Sequence, residues 1–329
     1  MNPAPSPIRL SPGTYPTPLE PAPRLATAIG LRPDDLWIKR DDLTGVGAGG
    51  NKLRKLEYTV GAALAGGVDT LVTTGAPQSN HARLTAAVAA RLGLRAVLVL
   101  RGAPGVSSSG NLALDGLLGA RVVRAGEVGA DALAERARAV TDELRAEGAR
   151  PALIPFGGSS VLGARGYADC ARELLGQLPD PRHVVVALGS GGTMAGLVAV
   201  LGAPTVLGVD VGARPDVADA VRGFAAPLVE RSDDLSDLRI RADQIGAGYA
   251  AYTDEAAAAL VLAARAEGLI LDPIYTGRAM AGLIAAVRDG EIRPGETTVL
   301  VHTGGLPGLF GHPDAIARAE ALLDSPDGR

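Results

Sequence analysis

A single cysteine, Cys170, and four histidines are all that the 329 residues offer to soft-metal or redox chemistry. A disulfide framework needs cysteines in pairs, and a Cys/His metal cluster needs several ligands at short spacing. Both are excluded, and a reducing compartment such as the cytoplasm fits this usage. A basic surplus is also missing: Lys+Arg 32 against Asp+Glu 36 leaves a net charge of -4, which argues against nucleic acid held on a positive face. No apolar run reaches the length of about 18 residues that a membrane span needs, and mean hydropathy is only +0.19. The proline-rich start, from Pro3 to Pro23, has no basic-then-apolar stretch of the secretory kind, so export by that route is not expected.

Lysine is nearly as scarce as cysteine. Among the 32 basic residues only Lys39, Lys52 and Lys55 are lysines. A guanidinium stays protonated and delocalised, whereas an amine can lose its proton and attack a carbonyl. These three positions are therefore the candidates for amine chemistry.

What is present in quantity is apolar and glycine-rich sequence, 47% hydrophobic with 44 glycines. At about 150 residues per domain the length predicts two domains. Residues 36–40 form a short strand pattern that leads into Asp41-Asp42 and a glycine loop at 45–50. From Asn51 the spacing of Leu53, Leu56, Val60, Ala63 and Leu64 predicts a helix with Lys52 at its start. Val/Leu/Ile runs follow at 69–74, 95–101, 121–124, 152–155, 183–188, 205–210 and 297–301. They alternate with helical patterns at 80–92, 111–118, 130–147, 163–178, 192–201, 254–267 and 277–289, while 214–248 is expected to be irregular. Continuous apolar strands separated by helices predict parallel strands covered on both faces. So many units exceed one sheet. The expected fold is α/β and two-lobed, with open twisted parallel sheets and helices on both faces. The smaller domain is expected at 56–165, the larger at 1–55 and 166–329.

In open parallel sheets, ligands bind beyond the carboxyl ends of the strands. Three polar segments fall there: 73–81, which ends in Gln78-Ser79-Asn80-His81; Gly189-Ser190-Gly191-Gly192-Thr193; and His302-Thr303-Gly304-Gly305. The second suits a phosphate, because the amides of a glycine loop can converge on an anion while the following helix adds its positive end. Gly189-x-Gly191 with Asp210 closing the next strand also matches part of a dinucleotide fingerprint, although its third glycine is replaced by Met194. A nicotinamide oxidoreductase thus stays open on glycine spacing alone. Lys52 is presented by Gly49-Gly50-Asn51 beside Arg54 and Lys55, and neighbouring positive charge at a helix start favours its neutral amine. An anion cradle, a presented amine and a ring of hydroxyl and amide groups are together what pyridoxal phosphate requires.

Five ordered motifs make the identification sharper: 49–57 (GGNKLRKLE), 78–81 (QSNH), 189–193 (GSGGT), 271–280 (LDPIYTGRAM) and 302–305 (HTGG). Together they closely resemble the D-cysteine desulfhydrase and 1-aminocyclopropane-1-carboxylate deaminase family of pyridoxal-phosphate enzymes. The resemblance implies a fold-type II architecture like the tryptophan synthase β chain, pyridoxal 5'-phosphate as cofactor, and a homodimer. It implies that Lys52 forms the Schiff base and shuttles the α-proton, and that Asn80 bonds the ring's phenolic oxygen. Ser79, Asn80 and His81 would hold the substrate carboxylate, with Ser79 also counted as catalytic. Lys55 with Gly189, Ser190, Gly191, Gly192 and Thr193 would take the phosphate. Thr303 would meet the ring nitrogen, and Tyr275, joined by Tyr249, would lie beside ring or substrate. Taken alone, Ser79 and Asn80 are also good helix caps, His81 is also readable as a core histidine, and Tyr275 as a packed turn residue.

A neutral hydroxyl at the ring nitrogen makes the cofactor a moderate electron sink, which suits elimination. The expected reaction is α,β-elimination from a small amino acid, D-cysteine giving pyruvate, ammonia and hydrogen sulfide. L-cysteate sulfo-lyase and aminocyclopropanecarboxylate deaminase are the alternatives. The deaminase branch is expected to carry one more tyrosine on the strand before the final Gly-Gly, where this chain has Val299-Leu300-Val301-His302-Thr303. Asp41-Asp42 are expected to brace the glycine loop, and Ser159-Ser160 matches no nucleophile elbow, so neither pair is given a catalytic role.

Overall fold

The apolar runs become two separate sheets in the computed structural model, which describes residues 9–102, 109–229 and 235–323. The chain opens with β1 (Leu19–Pro21), α1 (Pro23–Ala28), β2 (Leu36–Lys39), short 3-10 turns at Asp41–Leu43 and Val46–Ala48, and α2 (Lys52–Ala65). It continues with β3 (Thr70–Gly75), α3 (Asn80–Arg91), β4 (Arg95–Leu100), α4 (Asn111–Leu117), β5 (Arg121–Arg124), α5 (Ala130–Ala146) and β6 (Pro151–Leu153). After a 3-10 turn at Phe156–Gly158 come α6 (Val161–Gln177), β7 (His183–Leu188), α7 (Gly192–Leu201), β8 (Val206–Asp210), α8 (Val217–Ala225) and β9 (Arg239–Arg241). The last elements are α9 (Asp254–Glu267), α10 (Thr276–Arg288), β10 (Thr298–Val301), α11 (Leu306–Phe310) and α12 (Pro313–Ala321).

Six strands form one sheet in the order β1-β2-β10-β7-β8-β9, and four form the other in the order β5-β4-β3-β6. The side-chain period of two explains why the strands carry unbroken apolar runs. In β7, Val184, Val186 and Leu188 enter one apolar layer while Val185 and Ala187 enter the layer behind the sheet. In the smaller sheet Leu71, Leu98 and Leu100 face α2 and α3, and Val72, Val97 and Val99 face α5.

Two expectations need correction. The larger sheet is not wholly parallel, because β1 in the proline-rich lead pairs antiparallel with β2 at its edge. The stretch 214–248 is not irregular throughout, since it holds α8 and β9. No helix among the described residues is long and apolar enough to cross a membrane, and no group there of three or more His, Cys, Asp or Glu is placed to hold a metal.

Candidate active site

The carboxyl ends of β2, β3, β7 and β10 bring the three polar segments to one place. The glycine loop before α2 is fixed first. Gly49 adopts φ +66, and a Cβ there would fall 1.9 Å from the carbonyl oxygen of Asp42, so only glycine fits. Gly50 N donates to Thr44 Oγ1 (2.8 Å) and Asn51 N to the Thr303 carbonyl (3.0 Å). The buried Arg83 donates to the carbonyls of Gly47 and Gly49. Lys52 follows as the first residue of α2, at a helix start without a side-chain cap. Asn51 spends its amide elsewhere, donating Nδ2 to Thr193 Oγ1 (3.0 Å) and so tying the lysine loop to the 189–193 loop.

Burial lowers the Lys52 pKa to about 8, and the hydrogen bond with Lys55 works in the opposite direction. The lowered pKa therefore comes from desolvation, and Arg54, read from the sequence as a repelling neighbour, is turned away. Its guanidinium makes two hydrogen bonds to Asp41 (both 2.8 Å) and two to Glu173 (both 3.0 Å), with Lys39, Thr17 and Tyr167 in the same cluster. Asp41 thus braces α2 through Arg54, while Asp42 pairs with Arg40.

The 189–193 loop leaves β7 and opens α7, again with no side-chain cap. Gly189, Ser190, Gly191 and Thr193 line a cavity together with Asn51, Lys52, Asn80, Tyr275 and Thr303. A turn from the other sheet closes it. Ser159 Oγ accepts from Gly192 N (3.2 Å), shares a hydrogen bond with Ser190 Oγ (2.7 Å), and accepts from Lys55 Nζ (3.0 Å). A Cβ on Gly157 would fall 2.3 Å from Ser190 Oγ. Lys55, expected at the phosphate, lines neither cavity; it stands behind Ser159, its pKa well below the usual lysine value through burial and the charge of Lys52.

Ser79 caps α3, its Oγ accepting from Ala82 N (3.1 Å), so the capping role is real as well. Asn80 Oδ1 accepts from Asn111 Nδ2 (3.0 Å), which leaves the Asn80 Nδ2 donor for the cavity. The His81 ring is buried: Thr73 donates its hydroxyl to the Ile154 carbonyl (3.1 Å) and accepts from His81 Nε2 (2.9 Å). Burial and the two lysines hold this imidazole neutral, well below the usual histidine value. Tyr275 and Tyr249 share a hydroxyl–hydroxyl hydrogen bond with rings edge to face at 6.0 Å, and burial pushes both phenols up, Tyr275 furthest. The two tyrosines thus meet at the site, and neither lies on β10. A second cleft of about 310 Å³ opens from the first, sharing Lys52, Asn80, Ser190 and Tyr275 and reaching Ser79, Tyr249 and Arg101.

These residues fit a phosphorylated aromatic aldehyde. Among the described residues no carboxylate influences Lys52 or Lys55, so an anion complements them. The loops approach so closely that a Cβ on Gly157 or Gly189 would fill the cradle or touch the Tyr275 ring, the latter at 3.3 Å. A parallel α/β fold that presents a neutral amine to a glycine cradle at its strand ends defines a pyridoxal-phosphate type of catalyst. The chain belongs to the pyridoxal-phosphate dependent enzyme family, whose description matches residues 10–304, and pyridoxal 5'-phosphate is its cofactor. It is 42% identical over 317 residues to a D-cysteine desulfhydrase of Klebsiella pneumoniae, covering 90% of this chain and 94% of that one. It is 40% identical over 310 residues to a Pyrococcus abyssi protein provisionally named a 1-aminocyclopropane-1-carboxylate deaminase, covering 89% and 90%. A solved structure of an ACC deaminase homologue superposes with TM-score 0.84 at 36% identity, over 94% of this chain and 95% of that one. The nicotinamide alternative is set aside: Asp210 instead accepts from Gly212 N (2.8 Å) at the strand end.

Sequence reasoning missed Ser159, the side chain of Asn51, and Arg101. For Ser159 a signal exists, since Gly157-Gly158-Ser159-Ser160 has the same small-residue composition as 189–193. Arg101 and the Asn51–Thr193 link carry no local pattern.

Proposed function

We propose that this enzyme is a lyase that removes a β-substituent from a small amino acid, with D-cysteine giving pyruvate, ammonia and hydrogen sulfide. The observation that carries the proposal is the shared cleft, in which the Lys52 amine, its pKa lowered to about 8, lies with the α3 start and the paired tyrosines. The desulfhydrase name of relatives at 42% identity supports the substrate.

When bound, the cofactor withdraws electrons from the substrate's α-carbon and so acidifies the α-proton. Lys52 would anchor it, and its Nζ takes that α-proton. The amides of 189–193, with Ser190, Thr193 and Ser159, would hold its phosphate, and Lys55 supports Ser159 from behind. Asn80 Nδ2 would donate to the cofactor's phenolic oxygen, and the Thr303 hydroxyl would serve its ring nitrogen. Ser79 and the amides at the α3 start seat the substrate carboxylate, His81 contributing through its backbone N–H because its ring is engaged with Thr73. Tyr275 and Tyr249, kept protonated by burial, are donors for the departing sulfur. The Cβ–S bond breaks with its electron pair on sulfur, and water hydrolyses the remaining enamine to pyruvate and ammonia. A homodimer in the cytoplasm belongs to the same proposal.

The test is a panel of D-cysteine, L-cysteine, L-cysteate and aminocyclopropanecarboxylate given to the purified holoenzyme. Pyruvate with sulfide from D-cysteine supports the proposal. Pyruvate with sulfite from L-cysteate alone, or 2-oxobutanoate from the cyclopropane alone, replaces it.

A further inference from the structure

Arg101 follows β4, and its backbone N donates to the Gly75 carbonyl (2.9 Å), which places it beside the segment that leads to Ser79. Its side chain lines the same cleft as Lys52, Ser79, Tyr249 and Tyr275. Arginines such as Arg40, held by Asp42 and Glu20, and Arg241, held by Asp243 and Asp289, are consumed by carboxylates, and Arg124, which is not, lies outside the cleft. Arg101 is not so consumed. Its Nε is buried with no hydrogen-bond partner, and among the described residues no carboxylate lies within ion-pair distance of its guanidinium. Its charge nevertheless reaches the Tyr249 hydroxyl. Glu127, exposed at the rim, is the one carboxylate lining the cleft, and it does not pair with Arg101.

A cation kept unpaired and partly desolvated beside a substrate cleft is costly unless an anion completes it. The phosphate cradle and the α3 start already account for a cofactor phosphate and a substrate α-carboxylate. We propose that Arg101 is a third anion seat, which receives an oxyanion carried on the substrate's β-substituent. The planar guanidinium suits a sulfonate, carboxylate or phosphate through paired N–H donors. This rests on the elimination proposed above and extends its substrates, beside D-cysteine, to amino acids that carry an oxyanion on the β-substituent. For cysteate the α-proton goes to Lys52 Nζ, the Cβ–S bond breaks with both electrons on sulfur, and sulfite leaves. Water then completes pyruvate and ammonium, so no oxidant or reductant is needed.

The experiment compares the holoenzyme with its Arg101→Gln and Arg101→Lys variants on two substrates per enantiomer, cysteate and β-chloroalanine, the second having a leaving group without an oxyanion. The ratio of kcat/KM for cysteate over β-chloroalanine falls at least about tenfold in Arg101→Gln, chiefly through KM, and Arg101→Lys restores part of it. Calorimetric titration with 3-sulfopropanoate, which has both acids of cysteate and no amine, gives an independent reading against propanoate. The wild type binds the two-acid compound at least about tenfold more tightly, and Arg101→Gln removes the preference. An unchanged kinetic ratio, or equal binding of the two acids by the wild type, overturns the proposal. Absence of turnover with every amino acid would sink the elimination reading alone, because the binding preference still reports on the seat.

Discussion

At the residue scale the account turns on desolvation. Lys52 titrates near pH 8 because burial removes water from its ammonium. The rate at which it captures added cofactor therefore rises with pH around a midpoint near 8, well below that of a solvated lysine, in stopped-flow reconstitution. A midpoint near the ordinary lysine value would mean that the amine is hydrated. Ser159→Ala removes the acceptor shared by Gly192 N, Ser190 and Lys55, at a cost of about 1–3 kcal/mol for the unsatisfied groups. Cofactor affinity measured by equilibrium dialysis is expected to weaken roughly tenfold or more. Lys52, Ser79, Asn80, Tyr275 and the 189–193 loop were legible because each stands in a short motif whose chemistry is local. Ser159 and Arg101 were not, because their meaning comes from segments that lie far away in sequence and meet only after folding. Lys55 stands one layer behind the cavity because the loop carrying Ser159 inserts between them.

At the scale of elements, α6 is the hinge pin of the site, packed against α2 on one side and α7 on the other. Both contacts need glycine. A Cβ on Gly166 would meet the Arg54 carbonyl oxygen at 2.0 Å, and one on Gly196 the Ala164 carbonyl oxygen at 2.2 Å. Gly196→Ala is thus expected to destabilise the protein by about 1–3 kcal/mol through overpacking, read as a lower denaturation midpoint. Its displacement of α7 should also weaken cofactor binding, since α7 begins in the phosphate loop. Long apolar strands and long helices were visible in the sequence, whereas β1, α1, α8 and β9 were not. β9 is three residues, Arg239-Ile240-Arg241, on a sheet edge, and its arginines are held by Glu291, Asp243 and Asp289 rather than by any apolar pattern. β1 lies in proline-rich sequence that only an edge strand tolerates.

At the scale of the whole molecule, a buried ion cluster joins distant parts of the chain. Lys39 on β2, Arg54 on α2 and Glu173 on α6 meet Asp41, with Thr17 and Tyr167 completing the hydrogen bonds. Asp41→Asn leaves Arg54 short of charge in a dry site and should cost about 3–5 kcal/mol of stability. The charges on Arg54 and Lys39 hold Asp41 and Glu173 below their ordinary carboxylate values. Because these folded values are depressed, the stabilisation is complete above the unfolded pKa of about 4 and is lost as pH falls through the folded values. Acid unfolding of the wild type should consequently be steep below about pH 4, and shallower in Asp41→Asn. We propose residues 56–165 as the smaller lobe and 1–55 with 166–329 as the larger, with α2 crossing the boundary and burying Leu53, Leu56 and Val60 in the smaller sheet's core.

The most direct test of the central claim is borohydride reduction of the yellow holoenzyme followed by peptide mass spectrometry. With lysines only at 39, 52 and 55, the assignment is unambiguous. A phosphopyridoxyl group is expected on Lys52 and nowhere else. The same group on Lys39 or Lys55, or on no lysine, would contradict it.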